Sequence, residues 1–201
     1  NGKLSDAQAD VQKTTGLTKK EVDELTKSYG LFKSRTSRIN LLALSEEAGR
    51  LGITGLKNIK DFTQTLDLLK VSLGDELSDE QIREVGKITA VYKTADKTGR
   101  DLAESTKSVA SAINELGASG ATNAPFLVDF AKRTGGLADV ADIAETDMLG
   151  LAAAFDELGQ SQEISATATN KTIISMGKNT SKFADLAGMS VGKFSKLLKE
   201  D

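Results

Sequence analysis

The stretch Lys97–Leu158, KTGRDLAESTKSVASAINELGASGATNAPFLVDFAKRTGGLADVADIAETDMLGLAAAFDEL, lays out three amphipathic helices in succession, each closed by glycine. In the first, Asp101–Leu116, the residues Leu102, Val109, Ile113 and Leu116 fall at helical spacing. Thr106 completes the stripe, and Gly117 stands where a left-handed stop belongs. The second begins at Asn123, a good N-cap, with Pro125 in the first turn, where its missing N–H does no harm. It puts Phe126, Leu127, Phe130 and Ala131 on one side and is expected to end at Gly135-Gly136. After a connector, Leu137–Ile143, the third runs from Asp147 to Leu158 with Met148, Leu151, Ala152, Phe155 and Leu158 in register before Gly159.

Working outward, Ser5 opens a short polar helix to Thr14 with only Ala7, Ala9 and Val11 to bury, so residues 1–33 are expected to hold a mobile helical arm. Thr18 and Glu21 fit a capping box ahead of Val22, Leu25 and Tyr29. Ser34–Leu51 reads as a helix with Ile39, Leu42, Ala43 and Leu51 on one side. Thr54 is expected to cap the strongest periodic run in the chain, Leu56, Ile59, Phe62, Leu66, Leu69 and Leu73, which stops at Gly74. Ser78 and Gln81 form a second capping box before Ile82, Val85, Ile88 and Tyr92, and the polar segment Thr94–Gly99 reads as a hinge. Ser161 or Ser165 starts a helix to Gly177, and two short ones follow, Asn179–Ala187 and Ser190–Lys199.

A local pattern recurs in Gly16-Leu17-Thr18, Gly52-Ile53-Thr54 and Gly188-Met189-Ser190: a helix stop, an apolar anchor and a helix start in three positions. The intervals are unequal, so no solenoid period is implied. No segment alternates as a strand would. The fold expected is all-α, an irregular array of about eight to ten short helices joined by Gly-Ser/Thr corners. Residues 34–95 form one helical subdomain and 96–201 a second.

The 201 residues contain neither cysteine nor histidine, which removes disulfides, thiolate nucleophiles, imidazole bases and the usual zinc or haem ligands. A net charge of −3 argues against a chain built to bind polyanions. Aromatic residues make up 4%, so the core must be mainly Leu, Ile, Val and Ala. No apolar run approaches the length needed to cross a bilayer, and no signal peptide opens the chain. The chain starts at Asn1 with no initiator Met and ends at Asp201 directly after a helical pattern, so it reads as a piece excised from a longer protein. The other reading is a processed complete protein.

The order of several segments carries a resemblance. EEAGRLGITGLKNIKDFTQTLDLLKVSLGDELS (46–78) is followed by VASAINELGASG (109–120), DFAKRTGG (129–136), ADVADIAETDMLGLAAAFDELG (138–159) and KFADLAGMSVGKFSKLLKED (182–201). In this order they resemble the core region of phage and prophage tail tape measure proteins, over roughly residues 46–201. Ala112–Gly117, Leu149–Phe155 and Leu186–Ser190 keep that family's features, whereas Asp139 and Asp142 make the connector more acidic than usual and residues 1–45 show none.

The resemblance implies a structural role in virion assembly and tail length determination, inside the tail tube of the virion and in the bacterial cytoplasm during assembly. Tail-tube, tail assembly and tip proteins are the implied partners, with self-association a further expectation. The alternative is a non-viral helical interaction module, a scaffold or chaperone adaptor. A helical ruler gains about 1.5 Å per residue. The glycines at 52, 74, 117, 135, 136 and 159 interrupt any rod, so a compact module is expected here, with the extended measuring part elsewhere.

No catalytic, cofactor-binding or metal residue is assigned, and no enzyme activity, cofactor or small-molecule substrate is expected. Glu104, Glu115, Asp129 and Glu157 supply carboxylates for a glycosidase-type pair, but each falls on a polar helix face, so solvated surface is the stronger reading. Asp75, Glu76, Asp79 and Glu80 are dense in charge yet lack calcium-loop spacing; capping and the helix dipole account better for Asp79 and Glu80. Lys33, Arg35 and Arg38 on one helix, and Lys171, Lys178, Lys182, Lys193, Lys196 and Lys199 near the end, are the sites where DNA contact would fall. Stacking aromatics are scarce there, and a solvated face is the stronger reading.

Overall fold

The computed structural model describes residues 2–74, 76–92, 101–120 and 122–200, with side chains to residue 197. The expected hinge at Thr94–Gly99 and the acid Asp75 lie outside the described residues. Among the described residues eleven helices follow one another: α1 (Gly2–Thr15), α2 (Lys19–Tyr29), α3 (Arg38–Arg50), α4 (Leu56–Leu73), α5 (Asp79–Val91), α6 (Leu102–Ala118), α7 (Ala124–Val140), α8 (Glu145–Glu157), α9 (Gln162–Lys178), α10 (Thr180–Leu186) and α11 (Val191–Glu200). No strand occurs among the described residues. The architecture is all-α.

The helix starts follow local chemistry. Thr18 and Ser78 close full capping boxes with Glu21 and Gln81, and Asp101, Asn123 and Ser161 each accept the backbone N–H three residues on. Two starts differ from expectation. Ser37, not Ser34, caps α3, because the Ser34 hydroxyl is committed to donating to Asp67 Oδ1 at 2.7 Å. Thr54 does not cap α4: Gly55, at φ 84°, takes the N-cap position and offers no side chain.

Three glycines expected to end helices lie inside or beside them for another reason. α6 runs through Gly117 and turns left-handed only at Gly120. α7 continues through Gly135 and Gly136 to Val140, so most of the expected connector is its last turn. The stop is made by Asp142, at φ 58°, with Ile143 N–H donating to Ala138 O at 2.9 Å and Asp142 N–H to Asp139 O at 3.1 Å. Asp142-Ile143-Ala144 is thus the recurring corner with aspartate in the glycine position.

One apolar core runs from Val11 to Ala166. α1 lies on α3, α3 on α4, α4 on α6, α5 on α7, and α7 on α8 and α9, so the expected boundaries at 33/34 and 95/96 do not separate cores. The first helix buries one side chain fully, Val11, with Leu4 and Ala7 partly buried against the core beside it. A Cβ on Gly49 would stand 2.7 Å from the Thr14 carbonyl carbon, so α1 and α3 touch backbone to backbone there.

The buried face of α3 is Leu41, Leu42, Leu44, Ser45 and Ala48 rather than one through Ile39. That of α8 is Met148, Leu149, Ala152 and Ala153, with Leu151 and Leu158 turned outward. Both helices are apolar on more than one side, so their neighbours rather than periodicity choose the inner face.

Candidate interaction surface

The apolar side chains that the core does not take are gathered at one end of the chain. Of thirteen large exposed apolar residues among those described, eight lie from Val140 onward: Val140, Leu151, Leu158, Ile164, Ile174, Leu186, Val191 and Leu197. Among the described residues the same region supplies only Met148 and Leu149 as large buried ones. Of the last two helices, α10 packs on α9 and α11 on α10.

Between α8 and α9 an open trough of about 360 Å³ is walled by Ile143, Met148, Leu151 and Phe155 on one side and by Ala168, Thr169, Thr172 and Ile173 on the other. Its lining is chiefly apolar, and the exposed carboxylate of Asp147 sits at its rim. Phe155 anchors the wall by packing on Phe130 of α7, ring centroids 6.1 Å apart. The Thr169 hydroxyl is buried in that wall with no hydrogen-bond partner, an arrangement that costs about 1–3 kcal/mol.

Beyond α9, the chain turns at Asn179, which serves as C-cap of α9 and N-cap of α10. Gly188, at φ 65°, then sets the next corner, closed by Met189 N–H donating to Ala184 O at 2.9 Å. α11 packs on α10 and buries none of its described side chains: Val191 and Leu197 are exposed and Phe194 is half-buried.

The carboxylates considered for acid–base work are scattered. Glu104 and Glu115 are exposed and stand roughly 16 Å apart along α6. Asp129 is half-buried on α7, and Glu157 is exposed at the end of α8. The acids that the core does enclose are others, Glu47, Asp67, Glu84 and Glu145. Glu84 of α5 lies 3.1 Å from Lys87 Nζ and 3.4 Å from Lys132 Nζ of α7, and Lys87 reaches Glu47 of α3 at 3.7 Å. This set bridges three helices and is structural. Its members come from elements far apart in sequence, so no local spacing marks it.

Two buried tyrosines are similarly structural. The Tyr29 hydroxyl bonds to Ser45 Oγ, which lies 3.1 Å from Thr63 Oγ1, joining α2, α3 and α4. Tyr92 OH lies 3.1 Å from Thr134 Oγ1 of α7. Burial pushes both phenols up to about 12 against the opposing pull of those hydroxyls, with Glu145 adding to the rise at Tyr92.

Lys33 and Arg35 lie in the loop before α3, with only Arg38 on the helix, so the expected cluster on one helix does not form. Lys171, Lys178, Lys182, Lys193 and Lys196 are exposed along α9, α10 and α11. Asp79 and Glu80 occupy the first turn of α5, Asp79 paired with Lys70, which is the capping and dipole arrangement. Among the described residues no group of acidic side chains is placed to hold a metal ion, and no helix is long and apolar enough to cross a membrane. No model of a known protein family, no curated protein and no solved structure matches this chain.

Proposed function

We propose that the chain is an assembly segment of a phage or prophage tail tape measure protein and that it works by binding tail proteins rather than by catalysis. The observation that carries this reading is a coincidence of placement. Segments 138–159 and 182–201, which bear the resemblance, are also those whose apolar residues Leu151, Leu158, Leu186, Val191 and Leu197 stay exposed. Open apolar faces of this kind suit a protein that docks on partners. Tail-tube subunits, assembly factors and tip proteins are those partners in this reading, and the tube interior is the destination.

The folded core favours a compact module over a stretch of ruler. α4, the longest helix among those described, has 18 residues, about 27 Å at the helical rise, and its neighbours fold back on it. The test is an in-frame deletion of residues 97–159 from the full-length gene in its own phage, with tails measured by electron microscopy. Absent or misassembled tails are expected. Tails shortened in proportion to the residues removed would make the segment part of the ruler. Normal tails would leave the non-viral scaffold or adaptor reading in front.

A further inference from the structure

From Lys171 onward the chain changes sign. Residues 171–197 carry five lysines, all exposed, against one acid, Asp185, in a protein whose total charge is −3. In each of the last three helices a lysine stands about one turn from an exposed aliphatic side chain. On α9 these are Lys171, Ile174 and Lys178, which share one stripe at i, i+3 and i+7; on α10 they are Lys182 and Leu186, and on α11 Lys193 and Leu197, both pairs at i, i+4. Leu186 is 75% exposed, so nothing in its own chain covers it.

That pairing selects among anionic partners. A nucleic acid offers phosphates to the lysines but no apolar phase to the aliphatic side chains. It is usually met by arginine forks and stacking rings, whereas residues 171–197 contain no arginine and their two rings, Phe183 and Phe194, are half-buried in packing. An anionic bilayer takes both kinds of side chain. Aliphatic groups enter the boundary between headgroups and acyl chains, and lysine stems run along it while their ammonium groups reach the phosphates. α11 has the matching build, because none of α1 to α9 separates apolar from polar side chains as sharply. No described helix is long and apolar enough to cross a membrane, so the contact is one of lying on the surface.

We infer that residues 171–197 form a docking surface for an anionic lipid bilayer, with Leu186, Val191 and Leu197 entering the headgroup boundary and the lysines beside them holding lipid phosphates. This goes beyond the proposed function and does not depend on it. It gives the end of the chain to a lipid surface and leaves Leu151 and Leu158 of α8 for protein partners.

The test is flotation of the purified chain with vesicles of phosphatidylcholine alone and of phosphatidylcholine mixed with phosphatidylglycerol, over a salt series. Binding to the anionic vesicles is expected, weakening as salt rises, with little to the neutral ones. Lys182→Gln/Lys193→Gln should weaken it roughly 25-fold, about fivefold for each lysine at an anionic surface, and Leu186→Ser should weaken it at every salt. All three sites are exposed, so circular dichroism should not change. The chain contains no tryptophan, and Leu186→Trp therefore supplies a single indole whose emission should shift to the blue on anionic vesicles. Failure to float with the anionic vesicles, or equal binding to the neutral ones, would overturn the assignment. So would an indole that stays in water while the chain is bound, or tighter retention by duplex DNA at the same salt with Leu186→Ser indifferent, which would make the surface one for nucleic acid.

Discussion

A Cβ placed on Gly135 would lie 2.8 Å from Cε2 of Tyr92 and 3.1 Å from Cγ1 of Val91. The glycine lets α7 press against the end of α5, and Tyr92 is fully buried, so the ring has no room to retreat. At Gly136, one residue on, a Cβ would meet nothing within 4 Å. Alanine at both positions gains the same helix propensity of about 1 kcal/mol, but only at Gly135 does it incur an overpacking cost of about 1–3 kcal/mol. Urea denaturation should therefore show Gly136→Ala stabilised by up to about 1 kcal/mol and Gly135→Ala destabilised. Equal shifts for the two variants would mean that α5 and α7 do not meet at Gly135.

The triplets Gly16-Leu17-Thr18 and Gly52-Ile53-Thr54 look alike but end differently. Thr18 accepts from the Glu21 backbone, and the Glu21 carboxylate accepts in turn from the Thr18 N–H and hydroxyl, which holds that carboxyl below its usual range. Thr54 caps nothing, since Gly55 takes the N-cap position. Thr18→Ala should cost about 1 kcal/mol of stability in urea melts and Thr54→Ala close to nothing. Because the folded Glu21 is the more acidic form, its part of the box is present above the ordinary carboxylate range and is lost as pH falls through the folded value. The Thr18→Ala deficit should accordingly narrow in acid.

What the sequence showed depended on how local the cause was. Periodicity in Leu56–Leu73 and the boxes at Thr18 and Ser78 are set within a few residues, and those helices lie where the pattern puts them. Gly135 was misread as a stop because its role is set by Tyr92, 43 positions earlier in the chain. The corner at Asp142 went unsignalled for the opposite reason: it makes a left-handed turn that glycine usually marks. The trough was half-legible. Phe155, Leu151 and Met148 stood out as an apolar stripe, but α8 is apolar on several sides, and only its packing on α7 reveals which of them stay open.

Gly49 marks the contact on which α1 depends. Because the atoms nearest to a Cβ there include the backbone of Thr14 at 2.7 Å, a methyl group cannot be absorbed by one side chain turning aside. Gly49→Ala should lift α1 as a unit. Amide exchange would then accelerate across residues 2–15, while α4 to α7 keep their protection. Unchanged exchange in α1 would argue that the helix is not held at Gly49.

Alkaline conditions should unfold the protein through its two tyrosines. Tyr29 and Tyr92 hold their protons to about 12 when folded, against about 10 in an unfolded chain. Below pH 10 both states carry the proton and the stabilisation is intact. Above it the unfolded chain ionises first, and stability falls until pH passes the folded value, by about 2–3 kcal/mol for each residue. The Tyr29→Phe/Tyr92→Phe double variant removes both phenols while leaving Thr134 bonded to Phe130 O. Lysine titration is common to both proteins, so the difference between their stability curves isolates the tyrosines. Denaturant midpoints measured from pH 9 to pH 11.5 should fall more steeply for the parent chain than for the double variant, and parallel curves would refute the buried-phenol account.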